Sequence, residues 1–287
     1  MKNEQVKYLL IINLAMLCIS TAGPLGRYIS LPAALIVWYR AFFALLFLGG
    51  YCYWKKYRLS FDLSKYGPVV LASGVLMATH WITYFYALKW SNVATAMLAL
   101  FTYPIITTLL EPLFLKTKLQ SAHLFLSAFI LVGIYFLAPS FDFRNTETQG
   151  LLLGLLSALS YAIRNLILKR HIADFNGSVL LFYQVVISVI LLLPVFIFFE
   201  NDWQLVQSQL PFLVFLGLVT TAIGHTLFLN SFKHFSISTA SIISSMQPIF
   251  GIVLAIIFLQ EFPNWRSILG GLIILSSVII ESRRSLN

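Results

Sequence analysis

Residues 94–115 read ATAMLALFTYPIITTLLEPLFL, and residues 238–259 read STASIISSMQPIFGIVLAIIFL. Each run is long and apolar enough to cross a hydrocarbon core about 30 Å thick, which takes roughly 20 helical residues. The two runs also match each other at an offset of 144 residues, with Thr95/Thr239, Ala96/Ala240, Pro104/Pro248, Ile105/Ile249, Phe114/Phe258 and Leu115/Leu259 identical. Extended without gaps to 84–136 against 228–280, the register holds ten identities, among them Lys89/Lys233. The same offset superimposes every other apolar run of the chain, as in Ile19/Ile163, Tyr39/Tyr183 and Val70/Val214.

The composition surrounding these runs agrees with a membrane origin. Of 287 residues 59% are hydrophobic and only 10% are charged, with a mean hydropathy of +0.87. Soluble domains carry about a quarter charged residues, so this chain lacks the polar surface of a soluble enzyme, a nucleic-acid binder or a disordered tail. The apolar residues come in blocks, without the alternation of a membrane β-barrel. The expected fold is therefore an all-α polytopic membrane protein with ten transmembrane helices, at 8–26, 33–54, 67–88, 94–115, 121–138, 150–168, 178–199, 211–232, 238–259 and 264–281. No connection is long enough for a soluble domain. The first span contains Asn13 and lacks a small-x-small cleavage site, so it is expected to remain in the mature protein. Cys18 and Cys52 lie in apolar runs and read as small packing residues.

Offset and span count together define the expected organisation. Residues 1–144 form one five-helix repeat and 145–287 a second. Five is odd, so the second repeat enters the membrane inverted. Two inverted repeats are a recurring transporter plan, with the substrate site near the midplane between them.

This organisation resembles the EamA family of the drug/metabolite transporter superfamily. Carrying the resemblance are Trp38-Tyr39-Arg40-Ala41, Pro104-Ile105, Ser238-Thr239-Ala240, Gln247-Pro248-Ile249 and Phe258-Leu259-Gln260-Glu261. The resemblance covers essentially the whole chain. It implies that helices 1–4 and 6–9 surround a central cavity with 5 and 10 more peripheral. It also implies export or exchange of small metabolites, often amino acids. The exit of span 4, Leu115-Lys116-Thr117, departs from the leucine-glycine-glutamate usual in the family, and Glu111 places an acid deeper in the helix.

Ionisable groups inside a bilayer are costly and face a bundle interior or a wet cavity. Away from their ends the spans hold Arg40, Glu111 and Arg164, with His80 and His225. Counting at 1.5 Å per residue puts Arg40 and His80 about 12 Å below the outer boundary, and Glu111 and Arg164 about 27 and 22 Å below it. Glu111 and Arg164 are thus close enough in depth to pair. Two readings stand: a structural ion pair between the halves, or a proton-coupling or gating site. Arg40 has a neutral repeat mate, Gln184, so the fold does not require a cation there; a carboxylate substrate would suit its forked donors.

His80, Trp81, Tyr84, Tyr103, Tyr161, Ser245 and Gln247 join Arg40 as expected substrate-binding residues, and Tyr39 and Tyr183 are further aromatic candidates. An interhelical hydrogen bond is the plainer role for His80 and for His225. Pro104 and Pro248 are expected helix kinks, each freeing a carbonyl one turn back, on Leu100 and Ser244. Met97, Phe101, Pro104, Thr108 and Glu111 share one face of span 4; Ser238, Ser241, Ser245 and Pro248 share the matching face of span 9. Those two stripes would line an asymmetric cavity. No catalytic group set, cofactor motif or histidine spacing for a metal is present.

The expected function is a secondary transporter, exporting or exchanging amino acids or related small zwitterions or organic anions by alternating access. A channel, sensor, scaffold or intramembrane enzyme is the alternative. The expected partners are a small-molecule substrate, the lipid bilayer and protons as a candidate coupling ion. No nucleic acid is expected. Neither is an ATPase subunit, since no G-x-x-x-x-G-K-[ST] run occurs. One chain carries both halves, so a monomer suffices.

Lysine and arginine gather in cytoplasmic loops. With the N-terminus inside, the inner segments hold Lys2, Lys7, Lys55, Lys56, Arg58, Lys65, Lys116, Lys118, Lys169, Arg170, Lys233, Arg283 and Arg284. The outer segments hold only Arg27, Lys89, Arg144 and Arg266. Both termini are therefore expected in the cytoplasm, at the cell (inner or plasma) membrane. Reporter fusions test this: a C-terminal alkaline phosphatase is expected to be inactive and a C-terminal green fluorescent protein bright, and the reverse pattern refutes the orientation.

Overall fold

A computed structural model describes residues 2–59, 63–115, 121–138, 142–169, 176–199, 202–231, 244 and 246–284. The described residues are helical, with no strand among them. In chain order the helices are α1 (Lys2–Ser20), α2 (Ala22–Tyr28), α3 (Ala33–Trp54), α4 (Leu63–Trp90), α5 (Val93–Leu100), α6 (Tyr103–Leu115), α7 (Ser121–Leu137) and α8 (Thr146–Lys169). They continue with α9 (Gly177–Leu192), α10 (Val195–Phe198), α11 (Trp203–Phe215), a π-helix (Leu216–His225), α12 (Thr226–Ser231), α13 (Met246–Leu259) and α14 (Trp265–Arg284). Seven helical stretches are long and apolar enough to cross a membrane, and three shorter apolar helices, Leu124–Leu137, Met246–Leu259 and Trp265–Ile280, lie where spans 5, 9 and 10 were expected.

Helix starts are marked by short polar side chains that accept the first free amides. Asn92 accepts from Thr95 N at 2.8 Å, Asn176 from Ser178 N at 2.9 Å and Asp202 from Leu205 N at 3.1 Å. Large apolar side chains on the outer surface, such as Leu10 (67% exposed), Leu113 (78%) and Ile197 (81%), give the bundle a perimeter suited to lipid.

The packing has a regular plan. Helix α4 lies against α8 and α9, while the π-helix lies against α1 and α3. Helices α5 and α6 pack on α8, and α13 packs on α1 and α2. Helix α3 pairs with α9, α5 with α13 and α7 with α14. A shift of 144 residues carries α4–α8 onto the π-helix with α1, α4–α9 onto the π-helix with α3, α6–α8 onto α13 with α1, and α3–α9 and α7–α14 onto themselves.

Two features were not legible in the apolar pattern. The span-4 stretch breaks at Phe101–Thr102, where the Thr102 hydroxyl donates to Ala99 O at 2.8 Å. Pro104 lies in the first turn of α6, where its missing N–H costs no helical bond. It marks a break between two helices and not a bend within one. Pro248 is buried on α13. The second feature is the π-helix, a form that is rare and concentrated at functional sites. Its Thr221 hydroxyl donates to Leu216 O, five residues back, at 2.9 Å. Gly217 brings the π-helix against the α3 backbone, since a Cβ there would lie 2.4 Å from Phe43 Cβ and 2.9 Å from Ala44 N.

Helices α7 and α14 meet through Gly133 and Gly270. A Cβ on Gly270 would stand 2.7 Å from the Gly133 carbonyl oxygen, a backbone atom with no room to yield. Overpacking of this kind costs about 1–3 kcal/mol. Gly270→Leu is therefore expected to lower the thermal midpoint of the detergent-solubilised protein by several degrees, whereas Gly50→Leu, with nothing within 4 Å of the added Cβ, leaves it unchanged. Equal midpoints for the two variants would refute the close pairing.

Candidate functional site

Near the centre of the bundle, side chains from both halves converge on one small buried cavity. Helix α3 contributes Arg40, and α4 contributes His80, Trp81 and Tyr84. Tyr103 begins α6, Tyr161 lies on α8, His225 ends the π-helix and Gln247 lies on α13. Ile19, Ala22, Leu100 and Phe101 also line it. The cavity holds about 30 Å³, the space of roughly one water molecule. Of the eight residues expected to bind substrate, Arg40, His80, Trp81, Tyr84, Tyr103, Tyr161 and Gln247 meet here; Ser245 lies outside the described residues, as do Ser238 and Ser241. Tyr39 packs edge-on against Phe196, and Tyr183 donates to the Leu59 carbonyl, so neither ring lines this cavity.

Arg40 is only 2% exposed. Its guanidinium carbon lies 4.5 Å from the centre of the Trp81 ring and 5.5 Å from that of Phe85, where the faces of the π systems attract a cation. Its Nε donates to Thr221 Oγ1 at 2.8 Å, joining α3 to the π-helix. Arg164, 1% exposed, is held by neutral acceptors in the same way. Its Nε and one terminal nitrogen donate to Gln184 Oε1 at 3.2 and 2.5 Å, and the other terminal nitrogen to Asn165 Oδ1 at 3.1 Å. Gln184 passes the contact on, donating through Nε2 to Ser73 Oγ at 3.1 Å.

The expected Glu111–Arg164 ion pair is not formed. Among the described residues the ion pair within 4 Å is Arg27–Glu261, and Arg164 is taken up by Gln184, Asn165 and the Tyr161 ring. The difference is one of azimuth: Arg164 points toward α9, while Glu111 is half-buried on α6.

His80 combines both roles considered for it. It lines the cavity and is also tied to α8, with Nδ1 at 2.7 Å from Ser157 Oγ. The Ser157 hydroxyl donates to the His80 carbonyl at 2.9 Å. Its one proton being committed there, Nδ1 is the donor to Ser157. The His80 ring lies 4.6 Å from Tyr161 and 6.3 Å from Tyr84 by centroid, and Tyr161 meets Tyr103 edge-on at 4.9 Å. Tyr103 is hydrogen bonded to Ser244. Trp81 and His225 are repeat mates and face each other at 6.3 Å.

One end of the bundle is closed by a polar cluster. Arg27 donates to Leu88 O and Lys89 O at 3.1 and 2.8 Å and approaches Glu261 at 3.9 Å. Glu261 accepts from Val93 N at 2.8 Å, and Lys89 donates to the Ile29 carbonyl. The cluster thus ties the ends of α2, α4 and α13 to the start of α5.

Thr221, Ser157 and Gln184 are positioning residues that sequence reasoning did not place at the site. Their signal was weak, since a lone Ser, Thr or Gln on an apolar helix is more often a packing residue. Among the described residues no group of three His, Cys, Asp or Glu side chains could hold a metal ion.

Comparison with known proteins bears on the same architecture. The model of the EamA-like transporter family matches residues 6–138 and again 148–283. The pseudopaline exporter CntI of Pseudomonas aeruginosa is 25% identical over 261 residues, covering 88% of this chain and 87% of that protein. Solute carrier family 35 member G1 of Mus musculus is 26% identical over 220 residues, covering 71% of this chain and 58% of that protein. A solved crystal structure with 18% identity superimposes with a TM-score of 0.69 over 98% of this chain and 99% of its own, a likeness of fold alone. Matched by the family model over nearly its whole length, this chain belongs to the EamA-like transporter family of the drug/metabolite transporter superfamily.

Proposed function

We propose that this protein is a ten-span secondary transporter that exports or exchanges amino acids, related small zwitterions or organic anions. Its two inverted five-helix repeats, 1–144 and 145–287, alternate access to the central cavity. The observation that carries this reading is the convergence of Arg40, His80, Trp81, Tyr84, Tyr103, Tyr161 and Gln247 from both halves on one small cavity. The 144-residue offset of the contacts supports the repeat organisation, as does the family model matching the chain twice. At about 30 Å³ the cavity must widen to take a metabolite. Rocking one repeat against the other would open it.

In this reading Arg40 holds the substrate carboxylate, exchanging its Thr221 contact for a charge-assisted one. The tyrosines and His80 form the walls, and Gln247 supplies both a donor and an acceptor. A membrane gradient supplies the driving force, and Glu111, the one acid in the interior of a span, is assigned to proton coupling. The protein is placed in the cell membrane as a monomer with both termini in the cytoplasm.

Counterflow in proteoliposomes tests transport itself: saturable exchange of labelled metabolites is expected, and non-saturable flux would identify a channel. Losing a hydrogen bond to a charged group costs about 1.5–3 kcal/mol. Arg40→Ala is thus expected to reduce export of the transported acid by roughly ten- to a hundredfold, read by profiling secreted metabolites from overexpressing cells. An unchanged profile removes Arg40 from the site. Glu111→Gln is expected to flatten the pH dependence of export; an unaltered pH profile at normal rate removes the coupling role.

A further inference from the structure

We infer that the central site selects net anions over zwitterions and that the protein works by strict exchange, one anion moving out only as another moves in. The inference rests on the transporter reading and narrows it. Arg40 and Arg164 are both essentially enclosed, and no carboxylate among the described residues lies within 4 Å of either. Glu111 is the one acid in the interior of a span, and it neither lines the cavity nor pairs with Arg164. The other charged groups of the chain lie in loops or tails or at span ends. The groups that bear electrostatically on His80 and His225 include both arginines and no acid. The centre of the bundle thus carries fixed positive charge without a fixed counter-charge.

A second observation is independent of charge. Trp81 Nε1 is buried and has no acceptor among the described residues, and Trp81 lines the same cavity directly beneath the Arg40 guanidinium. A buried donor without an acceptor is a rare and costly feature. The site therefore offers cationic and neutral donors and lacks the carboxylate that would take up a ligand's ammonium group. A ligand that supplies acceptor oxygens and negative charge satisfies Arg40 and Trp81 together.

Exchange follows from the same charge. Moving uncompensated buried cations through the closed state is unfavourable, whereas a bound anion neutralises them. The loaded carrier then reorients faster than the empty one, so net flux in one direction needs a partner anion for the return.

The test uses the purified full chain in liposomes. A small-molecule extract of the expressing cells is divided by ion exchange at pH 7 into anionic, zwitterionic and cationic fractions. Heavy-isotope fractions are supplied outside, and entry is read by mass spectrometry. Heavy anions are expected to enter at least tenfold faster into vesicles loaded with the unlabelled anionic fraction than into vesicles loaded with buffer. Preferred entry of zwitterions or cations overturns the inference, and so does equal anion entry into buffer-loaded vesicles.

If no fraction is carried, the transporter reading fails, and the anion assignment is decided by binding. Stabilisation of the solubilised protein by the anionic fraction above the other two upholds it, and no such preference overturns it. Trp81→Phe keeps the ring under Arg40 and removes only the N–H. It is expected to weaken the anion effect several-fold while Arg40→Gln abolishes it, and full retention in both folded variants overturns the assignment.

Discussion

Burying a guanidinium in an apolar bundle constrains everything around it, because a charge taken from water must find partners within reach of its own side chain. Arg40 finds two ring faces on α4 and one hydroxyl on the π-helix. Arg164 finds the Gln184 amide, Asn165 and the Tyr161 ring. These contacts tie α3 to α4 and the π-helix, and α8 to α9. The cavity lies among the groups so held, with His80 anchored to Ser157 on one side. Neutral acceptors leave the positive charge in place, where carboxylate partners would have cancelled it.

A second constraint is the repetition of packing without repetition of side chains. The contacts of α3, α4, α6, α7, α8 and α9 recur under a 144-residue shift, yet the mates at the centre differ in chemistry: Arg40 with Gln184, Trp81 with His225, Tyr103 with Gln247, and His80 with Gly224. Divergent side chains make the shared cavity chemically one-sided. The π-helix adds to the asymmetry, since the matching part of α4 is an ordinary α-helix.

Much of the site was readable beforehand for a simple reason. In a chain where most residues are apolar, each polar or ionisable group inside a span stands out, and the bilayer forces such groups inward. Arg40, His80, Trp81, Tyr84, Tyr103, Tyr161 and Gln247 were found in that way and share one cavity. Tyr39 and Tyr183 show the limit of the method, because aromatics also pack between helices and bond to loop carbonyls. The Glu111–Arg164 pairing failed for a related reason: counting residues gives depth, but rotation about the helix axis decides which neighbour a side chain meets.

The apolar run lengths by themselves determined a helical membrane protein, because backbone groups in lipid must be satisfied within each helix. The offset of 144 residues likewise determined which helices correspond. Azimuth, breaks and partners were decided only by the tertiary structure. The interruption before Tyr103, the π-helix beneath Arg40 and the choice of Gln184 over Glu111 for Arg164 all depend on groups distant in sequence. A one-dimensional hydropathy pattern carries no information about which of those groups face each other.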